Sequence, residues 1–192
     1  MESISVFDML KIGVGPSSSH TLGPWVAAKR WVEKLKKGGK FDAIETVTVN
    51  LYGSLSLTGK GHATDIASML GLMGGDPVTF PIETIEDEIE AIRTQQKLLL
   101  DGTKPISFNP KEAIKFHRKF LDFHPNGITF NAFLENGKKI SDTYYSIGGG
   151  FVVQKERKRK KKKKELFDQF PFPTEKASEL ITYTSEENLS IS

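Results

Sequence analysis

The sequence predicts an α+β fold in which a mixed, largely antiparallel sheet has helices packed on one face. In the first half of the chain, apolar residues recur at spacings of three and four, the period of an amphipathic helix. From Lys97 onward the period changes to two, which is typical of strands with one buried face. Between two such runs, Asn136-Gly137 predicts a hairpin with a type I′ turn.

The first half is predicted to contain four helices and one strand. The helices cover Ser3 or Ser5 to Leu10, then residues 24–37, 62–73 and 83–91, and the strand covers residues 43–51. Pro24 suits a first helical turn because it has no N–H to leave unpaired, and Gly38-Gly39 suits a helix end. The strand is rich in β-branched residues. We expect the acidic helix 83–91 to face solvent.

The second half is predicted to be a run of strands closed by turns. The strands cover residues 98–100, 106–108, 113–120, 127–134 and 138–145, and a further helix covers residues 174–182. A second turn at His124-Pro125-Asn126-Gly127 would expose an imidazole at its tip. Three consecutive glycines, Gly148 to Gly150, indicate close approach of a ligand or a neighbouring element to the backbone.

Composition excludes several classes of protein. The chain has 192 residues and no cysteine, so it has neither disulfides nor thiolate metal ligands, and four scattered histidines predict no metal site of its own. It contains no run of 18 apolar residues and no charged-then-apolar leader, so we expect a cytoplasmic protein that does not enter a membrane.

The net charge of +3 is concentrated in one short segment. Residues 155–164 carry nine cations and one anion, whereas residues 1–154 hold 17 cations and 17 anions. Like charges at this density repel and resist packing, which favours a solvated linker over a nucleic-acid-binding surface. An incidental tether to nucleic acid would instead bind with an affinity that falls steeply with salt.

The segment Gly13 to Ala28 has the composition of an anion-binding loop. Hydroxyl side chains, an imidazole and three glycines precede the predicted helix, and the candidate ligands are Ser17, Ser18, Ser19, His20 and Thr21. A carboxylate or phosphate placed there would meet unpaired helix N–H groups and the positive end of the helix dipole. A simple helix cap needs only one hydroxyl, so the segment favours a binding function.

The other histidines leave the reaction open. His62 lies at the N-terminus of the helix predicted over residues 62–73, where a neutral, proton-accepting imidazole is favoured over a cation. On composition His124 is a hairpin-tip residue, and His117 reads as an exposed strand position to which we assign no role. A lyase, a regulatory amino-acid sensor or a phosphate binder would all suit these residues, whereas a serine hydrolase is disfavoured because no Gly-x-Ser-x-Gly pattern occurs.

Four groups of residues, in this order along the chain, carry a family resemblance. They are Ser3, Val6-Phe7-Asp8, Ile12 to Thr21 and Gly23-Pro24; Gly59 to Asp65; His124 to Gly127; and Tyr145 to Phe151. Together they resemble the N-terminal (β) domain of iron-sulfur-dependent L-serine dehydratases. Enzymes of this family remove water from L-serine, giving an aminoacrylate that decays to pyruvate and ammonia, a step of amino-acid degradation that feeds gluconeogenesis.

The resemblance implies roles for individual residues. His62 and His124 become the candidate general base and general acid, in either order, and the loop of Ser17 to Thr21 would bind the substrate carboxylate. Asn126, Gly148 and Gly149 become further candidate substrate-binding residues. In the family, the open iron of a 4Fe-4S cluster acts as a Lewis acid on the serine hydroxyl, and the cluster is carried by cysteines of a larger α domain.

The resemblance also implies a domain plan and partners. Residues 1–153 would form the β domain, 154–173 a basic linker, and 174–192 the start of a truncated α domain. Without cluster ligands, this chain alone is expected to be inactive and to need an α domain or α subunit, in an enzyme that is a homo-oligomer. The alternative is a non-catalytic domain that binds an amino acid or hydroxy acid, since the β domain also resembles the allosteric domain of some phosphoglycerate dehydrogenases.

Overall fold

The computed structural model describes residues 13–154, 172, 176–188 and 190, which fall into two separate compact units. The predicted first helix and the basic run lie outside the described residues. The larger unit has helices α1 (Gly23–Lys37), α2 (Ser54–Leu57), α3 (Thr64–Leu72), α4 (Ile85–Gln95) and α5 (Pro110–Ala113), with a π-helical turn at Ser18–Leu22 and a 3₁₀ turn at Ile82–Thr84. Its strands are β1 (Ile44–Tyr52), β2 (Lys97–Leu100), β3 (Lys104–Ser107), β4 (Ile114–His117), β5 (Gly127–Leu134), β6 (Lys139–Gly148) and β7 (Phe151–Gln154).

The strands form one mixed sheet of seven strands in the order β2-β3-β1-β5-β6-β7, with β4 also paired to β1. Strand β1 is parallel to β3 and β4 and antiparallel to β5, and the remaining pairs are antiparallel. The predicted α+β class with a largely antiparallel sheet is therefore confirmed.

Helix α1 anchors the core of the sheet. Trp31 is fully buried, and its indole stacks on Phe130 of β5 with ring centroids 5.2 Å apart. The indole N–H donates to Asp142 Oδ2 of β6 at 3.1 Å. Helix α3 lies against α1 at Gly71, where an added Cβ would lie 2.3 Å from the Trp25 carbonyl oxygen. The two helices approach this closely because position 71 has no side chain.

Three predicted elements differ from the structure. The acidic helix runs over Ile85–Gln95 and does not face only solvent, because Ile89 and Ile92 are buried in the core. The predicted strand 113–120 is shortened to β4 (Ile114–His117), since the Asn109 side chain caps helix α5 just before it. Helix α3 begins at Thr64 rather than at residue 62 because Ala63 has a left-handed φ of 53°.

The hairpin between β5 and β6 is placed as predicted, but its turn type is different. The Gly137 N–H donates to the Leu134 carbonyl at 2.8 Å, and the Leu134 N–H donates to the Lys138 carbonyl at 2.9 Å. Only Gly137 of the central dipeptide has a positive φ, of 73°, whereas a type I′ turn requires two such residues. The connection is therefore a type I turn followed by a left-handed glycine, and the type I′ prediction is wrong.

The second unit contains a single described helix, α6 (Ala177–Glu186). The Lys176 N–H donates to Glu179 Oε2 at 2.9 Å, so an acidic side chain satisfies an otherwise free amide before the first turn. Throughout the described ranges of the chain, no helix is long and apolar enough to cross a membrane.

Candidate active site

The N-terminal loop, residues 13–22, is called the serine loop below. Its last five residues form a π-helical turn that runs directly into α1. The Ser17 carbonyl accepts from the N–H groups of Thr21 (2.9 Å) and Leu22 (3.3 Å), and Ser17 Oγ accepts from the His20 N–H (3.2 Å). The helical segment therefore begins at Ser18, before the predicted Pro24, and the N–H groups of Ser18 and Ser19 are its first. Single π turns often occur at functional sites.

A small cavity lies beside the serine loop. Its volume is about 160 Å³, and it is lined by Gly13, Val14, Gly15, Ser17, Ser18, Leu22 and Gly149. Gly148 and Gly149 have left-handed φ values of 97° and 57°. A Cβ on Gly148 would meet nothing within 4 Å, so backbone conformation rather than the expected close approach requires glycine at this position. The cavity brings two hydroxyls and a glycine turn together around a small space.

One imidazole of the serine loop faces a second imidazole from another segment. The ring centroids of His20 and His62 lie 5.0 Å apart, with the planes tilted by 36°. His20 Nδ1 lies 2.8 Å from Ser19 Oγ, and His20 Nε2 lies 2.9 Å from Ser54 Oγ. Both ring nitrogens of His20 are therefore occupied by serine hydroxyls.

His62 belongs to the segment of residues 58–64, called the glycine loop below, and its tautomer follows from one contact. His62 Nδ1 lies 2.9 Å from the Thr58 carbonyl oxygen. A carbonyl oxygen can only accept, so Nδ1 carries the hydrogen, and in the neutral ring Nε2 holds the lone pair. His62 is thus set up to accept a proton at Nε2.

Two threonines tie the serine loop and the glycine loop together reciprocally. The Thr21 hydroxyl donates to the His62 carbonyl at 2.9 Å, and the Thr64 hydroxyl donates to the His20 carbonyl at 2.7 Å. Both threonines are buried. Each histidine-bearing backbone is therefore held by a side chain from the other loop.

The third histidine lies in the segment of residues 124–127, called the histidine turn below. The Asn126 N–H donates to His124 Nδ1 at 3.1 Å, which leaves the hydrogen of the neutral imidazole on Nε2. The Asn126 side-chain amide donates to the Ser146 carbonyl at 3.0 Å, and the Ser146 hydroxyl donates to the Ser19 carbonyl at 2.7 Å. The Ser54 N–H donates to the Pro125 carbonyl at 3.1 Å. These bonds connect the histidine turn to the serine loop and, through Ser54, to His20.

Comparison with known proteins identifies the family of this chain. A family model described as serine dehydratase beta chain matches residues 5–157. The chain belongs to the serine dehydratase beta chain family. It is 43% identical to L-serine dehydratase 1 of Escherichia coli K12 and 41% identical to L-serine dehydratase of Haemophilus influenzae, over 98% of its own length in both cases. It is 39% identical to L-serine dehydratase of Streptomyces coelicolor. The chain spans 41 to 42% of the length of these relatives.

The candidate residues of this serine dehydratase beta chain fall into two connected groups. Ser17, Ser18 and Gly149 line the small cavity. The second group is the facing pair of His20 and His62, together with Ser19 and Thr21, which hydrogen-bond to them. Asn126 connects His124 to this group through Ser146. The Thr21 hydroxyl and the Asn126 amide nitrogen are engaged in holding backbone carbonyls.

Sequence reasoning missed three residues of the beta chain site: Ser54, Thr64 and Ser146. Thr64 and Ser146 are fully buried, and each gives its hydroxyl hydrogen to a carbonyl of the serine loop. A polar residue that directly follows a confident strand, as Ser54 follows β1 and Gly53, is the signal that could have pointed to one of them.

His117 is half-buried rather than exposed, and it lies on β4 outside this network. Its Nε2 is 2.8 Å from Asn50 Oδ1, and its ring stacks on Tyr52 with centroids 4.9 Å apart. The sheet itself accounts for these contacts.

The beta chain does not offer the ligands of an iron-sulfur cluster. Such clusters are held by cysteine thiolates, and the sequence contains no cysteine. The described residues also contain no group of three or more His, Asp or Glu side chains that could hold a metal ion. The residues of this chain therefore do not fit a resident cluster.

The environment of His20 predicts a pH dependence of stability. Burial lowers the pKa of His20 below its ordinary value of 6.5, repulsion by a cationic His62 lowers it further, and a hydrogen bond with Ser54 opposes both effects. The unfolded chain then binds this proton more readily than the folded chain. Stability should be fully present above about pH 6.5 and should fall as the pH drops toward the lowered pKa.

Urea unfolding at neutral pH and at about pH 5.5 measures this loss. We expect the free energy of unfolding to fall less over this range in His20→Gln than in the unchanged chain, because glutamine does not titrate. The carboxylates that are common to both chains serve as the internal control. Equal losses in the two chains would contradict the assignment to His20.

Proposed function

We propose that this chain is the beta part of an L-serine dehydratase and supplies the carboxylate-binding loop and both proton-transfer groups to an active site completed by the rest of the enzyme. The observation that carries the proposal is the hydrogen-bond network joining the serine loop, the glycine loop and the histidine turn. The names of the relatives support serine as the substrate.

The substrate carboxylate would bind at the serine loop. The N–H groups of Ser18 and Ser19 begin a helical segment that continues through α1, and the hydroxyls of Ser17 and Ser18 line the adjoining cavity. Helix N-termini favour anions because their first N–H groups lack intrahelical partners. Gly149 closes the cavity without adding a side chain.

The tautomers support one assignment of the two proton transfers. His62 holds a lone pair on Nε2, so it would act as the general base that removes the proton from Cα of serine. The electron pair of that C–H bond forms the Cα–Cβ double bond as the β-hydroxyl leaves. His124 holds a hydrogen on Nε2, so it would act as the general acid that protonates the departing hydroxyl to water. The aminoacrylate product then hydrolyses to pyruvate and ammonia.

The remaining parts of the enzyme follow from the same proposal. An iron-sulfur cluster would have to be bound by an α domain or α subunit, since this chain has no cysteine. We also propose that the assembled enzyme is a cytoplasmic homo-oligomer that acts in amino-acid degradation and gluconeogenesis. Residues 1–153 would be the β domain, 154–173 a basic linker, and 174–192 the start of the α domain.

Reconstitution tests the proposal. The chain is expressed anaerobically with the other three-fifths of the E. coli relative, the cluster is reconstituted, and pyruvate formed from L-serine is measured. We expect pyruvate only when both parts are present. Serine binding without pyruvate would instead support the alternative, a regulatory amino-acid-binding domain, and would overturn the dehydratase assignment.

A further inference from the structure

Ser54 contacts all three histidine-bearing segments of the site. Its hydroxyl lies 2.9 Å from His20 Nε2, and its N–H donates to the Pro125 carbonyl of the histidine turn at 3.1 Å. Its carbonyl accepts from the N–H (3.2 Å) and the hydroxyl (3.0 Å) of Thr58, the residue whose own carbonyl accepts from His62 Nδ1. One residue at the start of α2 therefore joins the serine loop, the glycine loop and the histidine turn.

The contacts of the neighbouring serines are the basis for placing the hydrogen of His20. Ser19 Oγ is 2.8 Å from His20 Nδ1 but 3.4 Å from Ser17 Oγ. Hydrogen bonds between two hydroxyls span about 2.5–3.0 Å, so the 3.4 Å separation is too long. Among the described residues, the short contact open to the single Ser19 hydrogen is the one to Nδ1, and we place the hydrogen there. The neutral ring then carries its own hydrogen on Nε2 and donates it to Ser54 Oγ.

The geometry points to Ser54 as a positioning residue, whose oxygen holds His20 as the neutral Nε2–H tautomer and fixes its ring against that of His62. This inference rests on the proposed function, in which His62 is the base. Because both nitrogens of neutral His20 are hydrogen-bonded, this ring does not compete with His62 for the substrate proton. It also carries no charge that would repel a protonated His62. Ser54 thus leaves His62 as the imidazole of the pair that accepts the substrate proton.

Imidazole tautomers are measured directly by long-range ¹H–¹⁵N correlation spectra, recorded on this chain at a pH where both rings are neutral. In the unchanged chain we expect the Nε2–H form of His20 and the Nδ1–H form of His62. In Ser54→Ala the His20 hydrogen should move to Nδ1, where Ser19 Oγ can accept it, while His62 keeps its form. The Nδ1–H form of His20 in the unchanged chain, or identical His20 spectra in the two chains, would overturn the proposal.

Matched variants separate positioning from a general loss of structure. Ser54→Thr keeps the hydroxyl and should restore the Nε2–H form. Ser56→Ala removes a hydroxyl from the same helix, one without a hydrogen-bond partner among the described residues, and should leave the His20 spectrum unchanged. Where Ser54→Ala fails to fold, Ser54→Cys replaces the hydroxyl with a weaker partner and should give a partial shift of the same kind.

A Ser54→Cys spectrum identical to that of the unchanged chain would also overturn the proposal. The measurement needs neither serine nor turnover, so its outcome is distinguishable from a failure of the dehydratase assignment.

Discussion

His62→Ala is expected to lower kcat for serine dehydration by about a hundredfold or more in the reconstituted enzyme, the usual range for loss of a general base. The Nδ1 bond to the Thr58 carbonyl leaves Nε2 as the proton acceptor, and alanine removes that acceptor. The fold should survive, because Thr21 bonds to the main-chain carbonyl of residue 62, which alanine keeps. The pyruvate assay gives kcat and KM separately, and we expect kcat to carry the loss.

His117→Ala is the matched control for that experiment. It removes an imidazole of similar burial from β4, where the ring contacts Asn50 and Tyr52 rather than the site. Its kcat should stay close to that of the unchanged enzyme. Near-normal turnover in His62→Ala together with weakened serine binding would mean that His62 is not the base, and it would favour the amino-acid-binding alternative.

Trp31→Ala is expected to reduce the free energy of unfolding by about 3–5 kcal/mol, the range for truncating a large buried aromatic residue. The indole is fully buried between α1 and the sheet and stacks on Phe130. Its removal leaves a cavity at the point where the helix that follows the serine loop is anchored. Urea unfolding of the isolated chain, monitored by circular dichroism, measures the loss.

Trp31→Phe is the control that separates packing from hydrogen bonding. It keeps an aromatic ring on Phe130 but removes the N–H that donates to Asp142. Asp142 retains its contacts with Lys34 and Gln154, so the loss should be clearly smaller than for alanine. Similar losses in the two variants would show that the hydrogen bond, rather than packing, dominates at this position.

The sequence was most informative where one physical pattern dominates a segment. The helix over residues 24–37 and the strand over 127–134 were predicted almost to their ends, since their periodicity matches the burial that the sheet and core impose. The hairpin at Asn136-Gly137 was placed correctly but given the wrong turn, because only Gly137 takes a positive φ. Periodicity predicts where a turn lies, but the turn type depends on the register of the paired strands.

The site was harder to predict because it is built from contacts between distant segments. The serine loop and the three histidine positions stood out by composition. The roles of Thr64 and Ser146 depend on carbonyls 44 and 127 positions away in sequence, and a hydroxyl's partner at such separation has no local signature. The π-helical turn at the end of the serine loop was missed because Pro24 is an equally good start for an ordinary helix.

The crossed threonine bonds have a consequence for how a ligand enters. If either loop moves outward alone, a buried threonine hydroxyl loses its hydrogen-bond acceptor. Each hydrogen bond broken in this way costs about 1–3 kcal/mol. The two loops should therefore move together. Under the proposed function, substrate entry and alignment of the imidazoles would then be coupled, and blocking the movement of either loop would impair both.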